Sequence, residues 1–461
     1  MSKSPSSTDA PQVPKLGVST LIAYSAPMVA INFSLVLFMS YINSYAIDVL
    51  LVPPVAMGII FGAGRLWDAF TDPVAGILSD RTEHRLGRRR PWILLSAIPT
   101  AIFGWMVWAA PETLSTTALI VWMTVAVFGF NAAITFFLTP HQALGAELTL
   151  DHHQVSRIFA ARQAAGYIGM VGCLVYGMPH LLTSPQPRED AKLFAIVAGA
   201  AIVILIAASV AIVREPAGNR RRGGGGDARS VARDVWANRH ARMLLVMIFI
   251  EHAGTGASMV VSPFTYKYVL MQPYAAGEIF KWYVGSSLVS LALWLPLSRK
   301  IGKKQTWMIG LIAGIAGYIM VFMLGEGEVT WMKAAVVLTG ACSACGTVIG
   351  SSILADVIDA DELETGDRKE GAYYSAYTFL YKASSGVMAS ITGFVLAGVG
   401  YVASQPVQTE SVRLAIRSLH GLIPVVTMLV GAIILTQFSL TEEKHEEIRK
   451  KLEARRSTES T

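Results

Sequence analysis

Runs of roughly 20 predominantly apolar residues recur from one end of the chain to the other, each long enough to cross a hydrocarbon core about 30 Å thick as a helix. They fall at 17–47, 52–79, 91–110, 117–145, 158–180, 191–213, 241–269, 277–297, 305–325, 330–355, 373–399 and 412–438, about twelve in all. The chain that carries them has 461 residues, 53% of them hydrophobic and only 15% charged. A soluble domain of that length needs far more polar surface to cover itself. The fold class expected is an all-α integral membrane protein.

Charge gives the orientation. Lys and Arg gather after even-numbered runs, from Arg81 to Arg90, Arg214 to Arg222, Arg299 to Lys304 and Lys444 to Arg456. The segments after odd-numbered runs carry Asp48, Glu112, Glu326 and Glu328, although Arg188, Lys267 and Lys281 blur the contrast. Basic flanks stay on the cytoplasmic side, so a multi-pass protein of the inner or plasma membrane with both termini cytoplasmic is expected. The net charge of +6 then reflects topology and contact with an anionic inner leaflet; the chain offers no soluble basic face for nucleic acid. Cys342 and Cys345 lie in a small-residue helix and read as packing, since a Cys-x-x-Cys pair alone is weak evidence for metal or redox work.

The stretch "REPAGNRRRGGGGDARS" at 214–230 can neither cross lipid nor form a core. It divides the chain into a Ser- and Pro-rich disordered tail (1–16), a six-helix bundle (17–213), a cytoplasmic linker (214–240), a second six-helix bundle (241–438) and a cytoplasmic tail (439–461). The halves echo each other: "LSDRTEHRLGRRRPW" follows the second run and "LSRKIGKKQTW" the eighth. Two parallel six-helix bundles with substrate bound between them near midplane is the architecture of major facilitator transporters, and this is the fold expected here.

Asp68 and Asp72 are spaced i, i+4 in the second run, with Arg65 on the same face. Counting back from Asp80 at the membrane edge, they lie roughly 18 and 12 Å deep at about 1.5 Å per residue. Carboxylates at that depth mark ion or proton pathways. Glu251 and His252 form a second titratable pair in the seventh run and are candidates for a proton relay or a substrate contact.

The block "RLWDAFTDPVAGILSDRT…LGRRRPWIL" resembles the second helix and following loop of glycoside-pentoside-hexuronide:cation symporters. "ADVIDADELETGDRKEGAYYSAYTFLYKASSG" is similar to that family's segment after helix ten and its helix eleven, and "PHQALGAELTLD" to its helix-four exit. The resemblance implies that Asp68 and Asp72 bind the coupling cation, H+ or Na+, with Thr71 and Thr135 as further ligands and Lys382 facing the acids across the bundle. It implies substrate contacts at Asn32, Arg65 and Arg162, to which Tyr377 and Thr378 of helix eleven are added as candidates. Two sugar-binding acids of the melibiose carrier are replaced by Asn32 and Leu138. For gating, it implies that Asp356, Asp359 and Glu362 close the cytoplasmic side with Arg81, Arg88 and Arg368.

The function expected is a secondary active symporter that moves a sugar or glycoside by alternating access. It needs no cofactor beyond the ion, its partners are the small-molecule substrate and the bilayer, and it is expected to be a monomer and no enzyme. A lysolipid or other amphiphile carrier of the same superfamily is the alternative. A membrane prenyltransferase-like enzyme is the third reading; it would need Asp68, Asp72, Asp356 and Asp359 to converge on magnesium.

Overall fold

The computed structural model describes residues 17–149, 152–215, 233, 235–366, 369–403, 405–440 and 442–459. Six long helices form the first half: α1 (Val18–Asp48), α2 (Pro54–Arg81), α3 (Arg90–Trp108), α4 (Thr116–Glu147), α5 (His152–Gly172, continuing through a π-turn at Cys173–Gly177 into Met178–Thr183) and α6 (Pro187–Ile212). Six more form the second: α7 (Arg239–Val269), α8 (Ala276–Ile301), α9 (Lys303–Met323), α10 (Val329–Thr365), α11 (Glu370–Gly398) and α12 (Glu410–Thr436). A tail helix, α13 (Glu442–Glu459), follows.

Ten of the twelve helices α1–α12 are long and apolar enough to cross a membrane on those grounds alone. The exceptions are α2 and α8, which hold equivalent places in the two halves. The interior of α2 contains Arg65, Asp68 and Asp72, while α8 begins with Glu278 and ends with Arg299 and Lys300. Packing repeats with the same six-helix offset. In the first half α1 packs on α5 and α6, α2 on α4, and α3 on α4 and α6; in the second α7 packs on α11 and α12, α8 on α10, and α9 on α10 and α12.

Local chemistry sets the helix ends. Ser115, Asn238 and Thr409 cap α4, α7 and α12 by accepting from backbone N–H groups one turn in, which satisfies donors that have no helical partner. Gly366 closes α10 at φ +81°, a left-handed cap that costs glycine little. Because that cap comes so late, α10 runs ten residues past the expected end at 355, and Asp356, Asp359, Asp361 and Glu362 stand on its last turns instead of in a loop. Two further boundaries shift: Arg239 and His240, expected in the linker, already belong to α7, and the tail folds as α13. The expected N-terminal tail, most of the linker and Arg368 lie outside the described residues.

Since the helices alternate in direction, α1 begins and α12 finishes at one end of the bundle, here termed the terminal end; the other is the distal end. One apolar cluster joins both halves at the distal end, with Tyr41, Tyr45 and Trp108 from the first and Phe264, Tyr268 and Leu396 from the second. Toward the terminal end the core divides. One cluster, from Ala23 to Val213, belongs to the first half and another, from Val235 to Phe438, to the second.

Candidate cation and substrate site

The site is built where α2 crosses α11. A Cβ at Gly62 would lie 2.6 Å from the Gly386 carbonyl oxygen, so only glycine lets the two backbones approach this closely. That approach carries the functional side chains together. Arg65, Asp68 and Asp72 point from one face of α2 toward α11, with Arg65 and Asp68 buried at 8% and 4% exposure. Lys382 reaches across from α11: its Nζ is 2.7 Å from Asp72 Oδ2 and 3.3 Å from Asp68 Oδ2. Arg65 Nη1 is 3.4 Å from the same Asp68 oxygen. From α4, Thr135 donates to Asp72 Oδ1 at 3.0 Å.

Two positive and two negative charges thus balance inside the bundle, as buried ions require. Asp68 Oδ1 and Arg65 Nε have no hydrogen-bond partner among the described residues. Thr71 is buried but turned onto its own helix, donating weakly to the carbonyls of Trp67 and Asp68 at 3.4 and 3.5 Å. Of the expected cation ligands the structure therefore gathers Asp68, Asp72 and Thr135 with Lys382, and leaves Thr71 aside.

Asn32 and Arg162 meet on the α1–α5 face. A Cβ at Gly166, one turn beyond Arg162, would lie 3.1 Å from Asn32 Nδ2. That amide nitrogen donates to the Met28 carbonyl at 3.0 Å, leaving the amide oxygen to accept. Arg162 spends only its Nε, donating to His141 Nδ1 at 3.4 Å. His141 is stacked between Tyr24 and Phe137, with ring centroids at 4.2 and 4.8 Å. No carboxylate pairs with Arg162 among the described residues. Leu138 packs into the apolar core.

The family described as MFS/sugar transport protein matches residues 23–442. The chain belongs to that family. Among curated relatives it is 27% identical over 441 residues to the glucuronide carrier protein homolog of Escherichia coli, covering 94% of this chain and 95% of that one. It is 24% identical to the putative sulfoquinovose importer of the same organism, covering 93% and 92%. It is likewise 24% identical to sodium-dependent lysophosphatidylcholine symporter 1 of Xenopus tropicalis, covering 90% and 85%. Among solved structures, the nucleoside transporter NupG shares the fold with a TM-score of 0.63 at 11% identity, covering 92% of this chain and 98% of that one. These findings agree with the glycoside-pentoside-hexuronide symporter resemblance.

This member of the MFS sugar transport family is a multi-pass membrane transporter, not an enzyme. The prenyltransferase reading fails on geometry as well. Asp68 and Asp72 are held at the α2–α11 crossing, whereas Asp356 and Asp359 sit at the terminal end with partners of their own, so the four acids do not converge.

Glu251 and His252, adjacent in sequence, point apart on α7. Glu251 is 6% exposed and lies against Gly346 of α10, where a Cβ would be 3.0 Å from its Oε1. His252 turns to α11, its ring edge-on to Tyr381 and Tyr377 at 4.8 and 6.3 Å. The roughly 100° between successive helical side chains separates them, and a direct relay between the two is not assembled. Tyr377 is half-buried beside His252, and Thr378 is exposed on the next position of the helix.

Among the described residues no ion pair joins the expected gate residues across the halves. Arg88 pairs with Glu147 of its own half at 2.7 Å and with Glu215 at the start of the linker at 3.7 Å. Asp356 pairs with Lys303, and Asp359 with His445, in the other. Arg81 is exposed at the end of α2. Sequence reasoning missed a different junction at the distal end. Asp48, the last residue of α1, accepts from Lys267 Nζ and the Tyr268 hydroxyl at 2.7 Å each, and from the Tyr401 hydroxyl. Only the acid at the close of a long apolar run hinted at it; its partners come from the other half, more than 200 residues away.

Proposed function

We propose that the protein is a cation-coupled symporter for an anionic sugar or glycoside, working by alternating access between its halves. The observation that carries this is the Lys382 ammonium, seated between Asp68 and Asp72 where a coupling cation would bind. With Arg65 it brings the cluster to neutrality, so an entering Na+ or proton competes with Lys382 for the same carboxylate oxygens. If both stayed, the cluster would hold one excess positive charge in a poorly hydrated place, which is costly unless an anion joins it. An anionic substrate supplies that anion. Arg162, which shows no carboxylate partner, is the group to receive it, with the Asn32 amide oxygen accepting from a sugar hydroxyl. The glucuronide and sulfoquinovose names of two relatives support this substrate class.

The terminal end faces the cytoplasm, supported by the Lys and Arg that crowd it. The domain division at the linker is supported by the repeated packing of the halves and by their separate terminal cores. The halves joined at the distal end and the cores divided at the other support a reading of this arrangement as the state open at the terminal end. Asp72→Asn tests the reading, because it mimics permanent neutralisation. Concentrative uptake of a radiolabelled glucuronide should fall about a hundredfold or more, the loss expected when a driving ion is uncoupled, while counterflow exchange survives. Accumulation against a gradient with ordinary cation dependence would sink the coupling role. Accumulation of a lysolipid but no anionic sugar by the unaltered protein would sink the substrate class.

A further inference from the structure

His141 of α4 is fully buried, so nothing that enters the bundle touches its ring, yet both ring nitrogens are engaged. Nε2 lies 2.9 Å from the Tyr24 carbonyl oxygen of α1. A carbonyl only accepts, so the proton sits on Nε2. Nδ1 is then the bare acceptor that takes the Arg162 Nε–H from α5 at 3.4 Å. A second proton on Nδ1 would set one N–H against another, so the ring is neutral. The Tyr24 hydroxyl returns the contact by donating to the His141 backbone carbonyl at 2.9 Å. Gly145, one turn further along α4, makes room for that hydroxyl, since a Cβ there would run into it. Stacking on Tyr24 and Phe137, at interplanar angles of 8° and 24°, fixes the plane of the ring. We propose that His141 is a positioning residue for Arg162: it holds Nε, so that the two terminal nitrogens of the guanidinium grip the anionic group of the substrate end-on.

The physical basis is the shape of the guanidinium. It can meet a carboxylate or sulfonate along either of two kinds of edge, one made by Nε with a terminal nitrogen, the other by both terminal nitrogens. His141 occupies the first, and the second makes no hydrogen bond to any described residue. The same bond limits the motion of a long side chain. Arginine has much rotamer freedom to lose, and what is lost before the substrate arrives does not weaken binding a second time. Gly166, one turn beyond Arg162, brings Asn32 of α1 alongside. The anion grip and the acceptor for a sugar hydroxyl are thereby held at a set spacing, by a network that ties α1, α4 and α5 together within one half.

This inference rests on the reading of Arg162 as the group that receives the substrate's anion, and the two can fail separately. Equilibrium binding of radiolabelled p-nitrophenyl glucuronide to full-length protein in lipid nanodiscs is the measure, with the thermal transition of each variant as the check on folding. Arg162→Ala should weaken binding about a hundredfold; unchanged binding overturns the assignment of Arg162 itself. His141→Phe and His141→Asn both lose the bond to the Tyr24 carbonyl, but the Asn side-chain oxygen stands where Nδ1 stood and can still accept from Arg162. His141→Phe should weaken binding about tenfold, while His141→Asn should stay within about threefold of the unaltered protein. No loss in His141→Phe, or a loss in His141→Asn as large as in His141→Phe, overturns the positioning role. In protein carrying isotope-labelled histidine, the ring-nitrogen signals missing from His141→Asn should report a proton on Nε2 and none on Nδ1. The opposite tautomer, or a doubly protonated ring, overturns the proposal even where His141→Phe fails to fold.

Discussion

The two ends of the molecule use charge in opposite ways. At the distal end one buried carboxylate, Asp48, is shared by Lys267, Tyr268 and Tyr401, so that the first half is tied to three groups of the second. At the terminal end Arg88 and Arg89 pair with Glu147, and Lys303 and His445 with Asp356, each within one half. The apolar cores follow the same division, joined distally and separate terminally. On the alternating-access reading proposed above, the contrast teaches how one state would be held: the joined end spends its polar groups across the interface, and the divided end keeps them within each half. The chemistry of the two differs too. Burial and the Asp48 carboxylate push the Tyr401 phenol far above its ordinary range, so it remains a neutral donor, while the terminal pairs of Arg88 and Lys303 are ionic on both sides.

Breaking the distal junction should have the largest effect. Asp48→Asn removes the hub charge and strands Lys267; loss of one partner of a buried pair costs about 3 kcal/mol or more, over a hundredfold in the closed-to-open ratio at that end. Labels at Thr113→Cys and Glu326→Cys, both exposed on distal loops, should move from one short distance to a broad, longer distribution, and uptake should fall at least tenfold. A distance unchanged from the unmutated protein would show that the apolar cluster alone closes this end. Tyr401→Phe removes one neutral donor from the same carboxylate and should cost about 1 to 2 kcal/mol. That predicts partial opening, uptake reduced several-fold, and no change in distal distance between about pH 6 and 8. An appreciable pH response there would mean that an ionising group other than the phenol governs the junction. Arg88→Gln should matter least in this state. Glu147 keeps Arg89 at 3.2 Å and is not left without a partner, so initial substrate binding from the terminal side should stay within about twofold. A larger drop in equilibrium binding would place Arg88 in the open state's own machinery.

Much of this arrangement was legible beforehand, and unevenly so. The spans, the two halves and the helix-two acids follow from apolar periodicity and from the cost of charge in lipid, both of which are local properties of the chain. Lys382 was named as facing those acids by the family resemblance, and a lysine deep in a span needs a counter-charge in any case. The resemblance named Arg162 and Asn32, but their juxtaposition depends on Gly166 bringing α5 against α1. Thr71 stands apart from the cluster because a hydroxyl in a helix has its own backbone carbonyl within reach, and sequence does not say which partner wins. Glu251 and His252 looked like a pair because they are neighbours in the chain, whereas helical geometry sends neighbours to different faces.

What the sequence determined by itself was the membrane, the recurrence of about twelve helices, and the presence of carboxylates that demand neutralising. Those follow from the transfer of side chains and peptide groups out of water, which is settled residue by residue. Only the tertiary structure decided which charge neutralises which. Asp48 could have faced water, and Asp356 could have faced the arginines of the other half; the packing of α1 on α7 and of α13 on α10 chose otherwise. Those choices depend on how the two bundles sit against each other, and no local property of the chain records that.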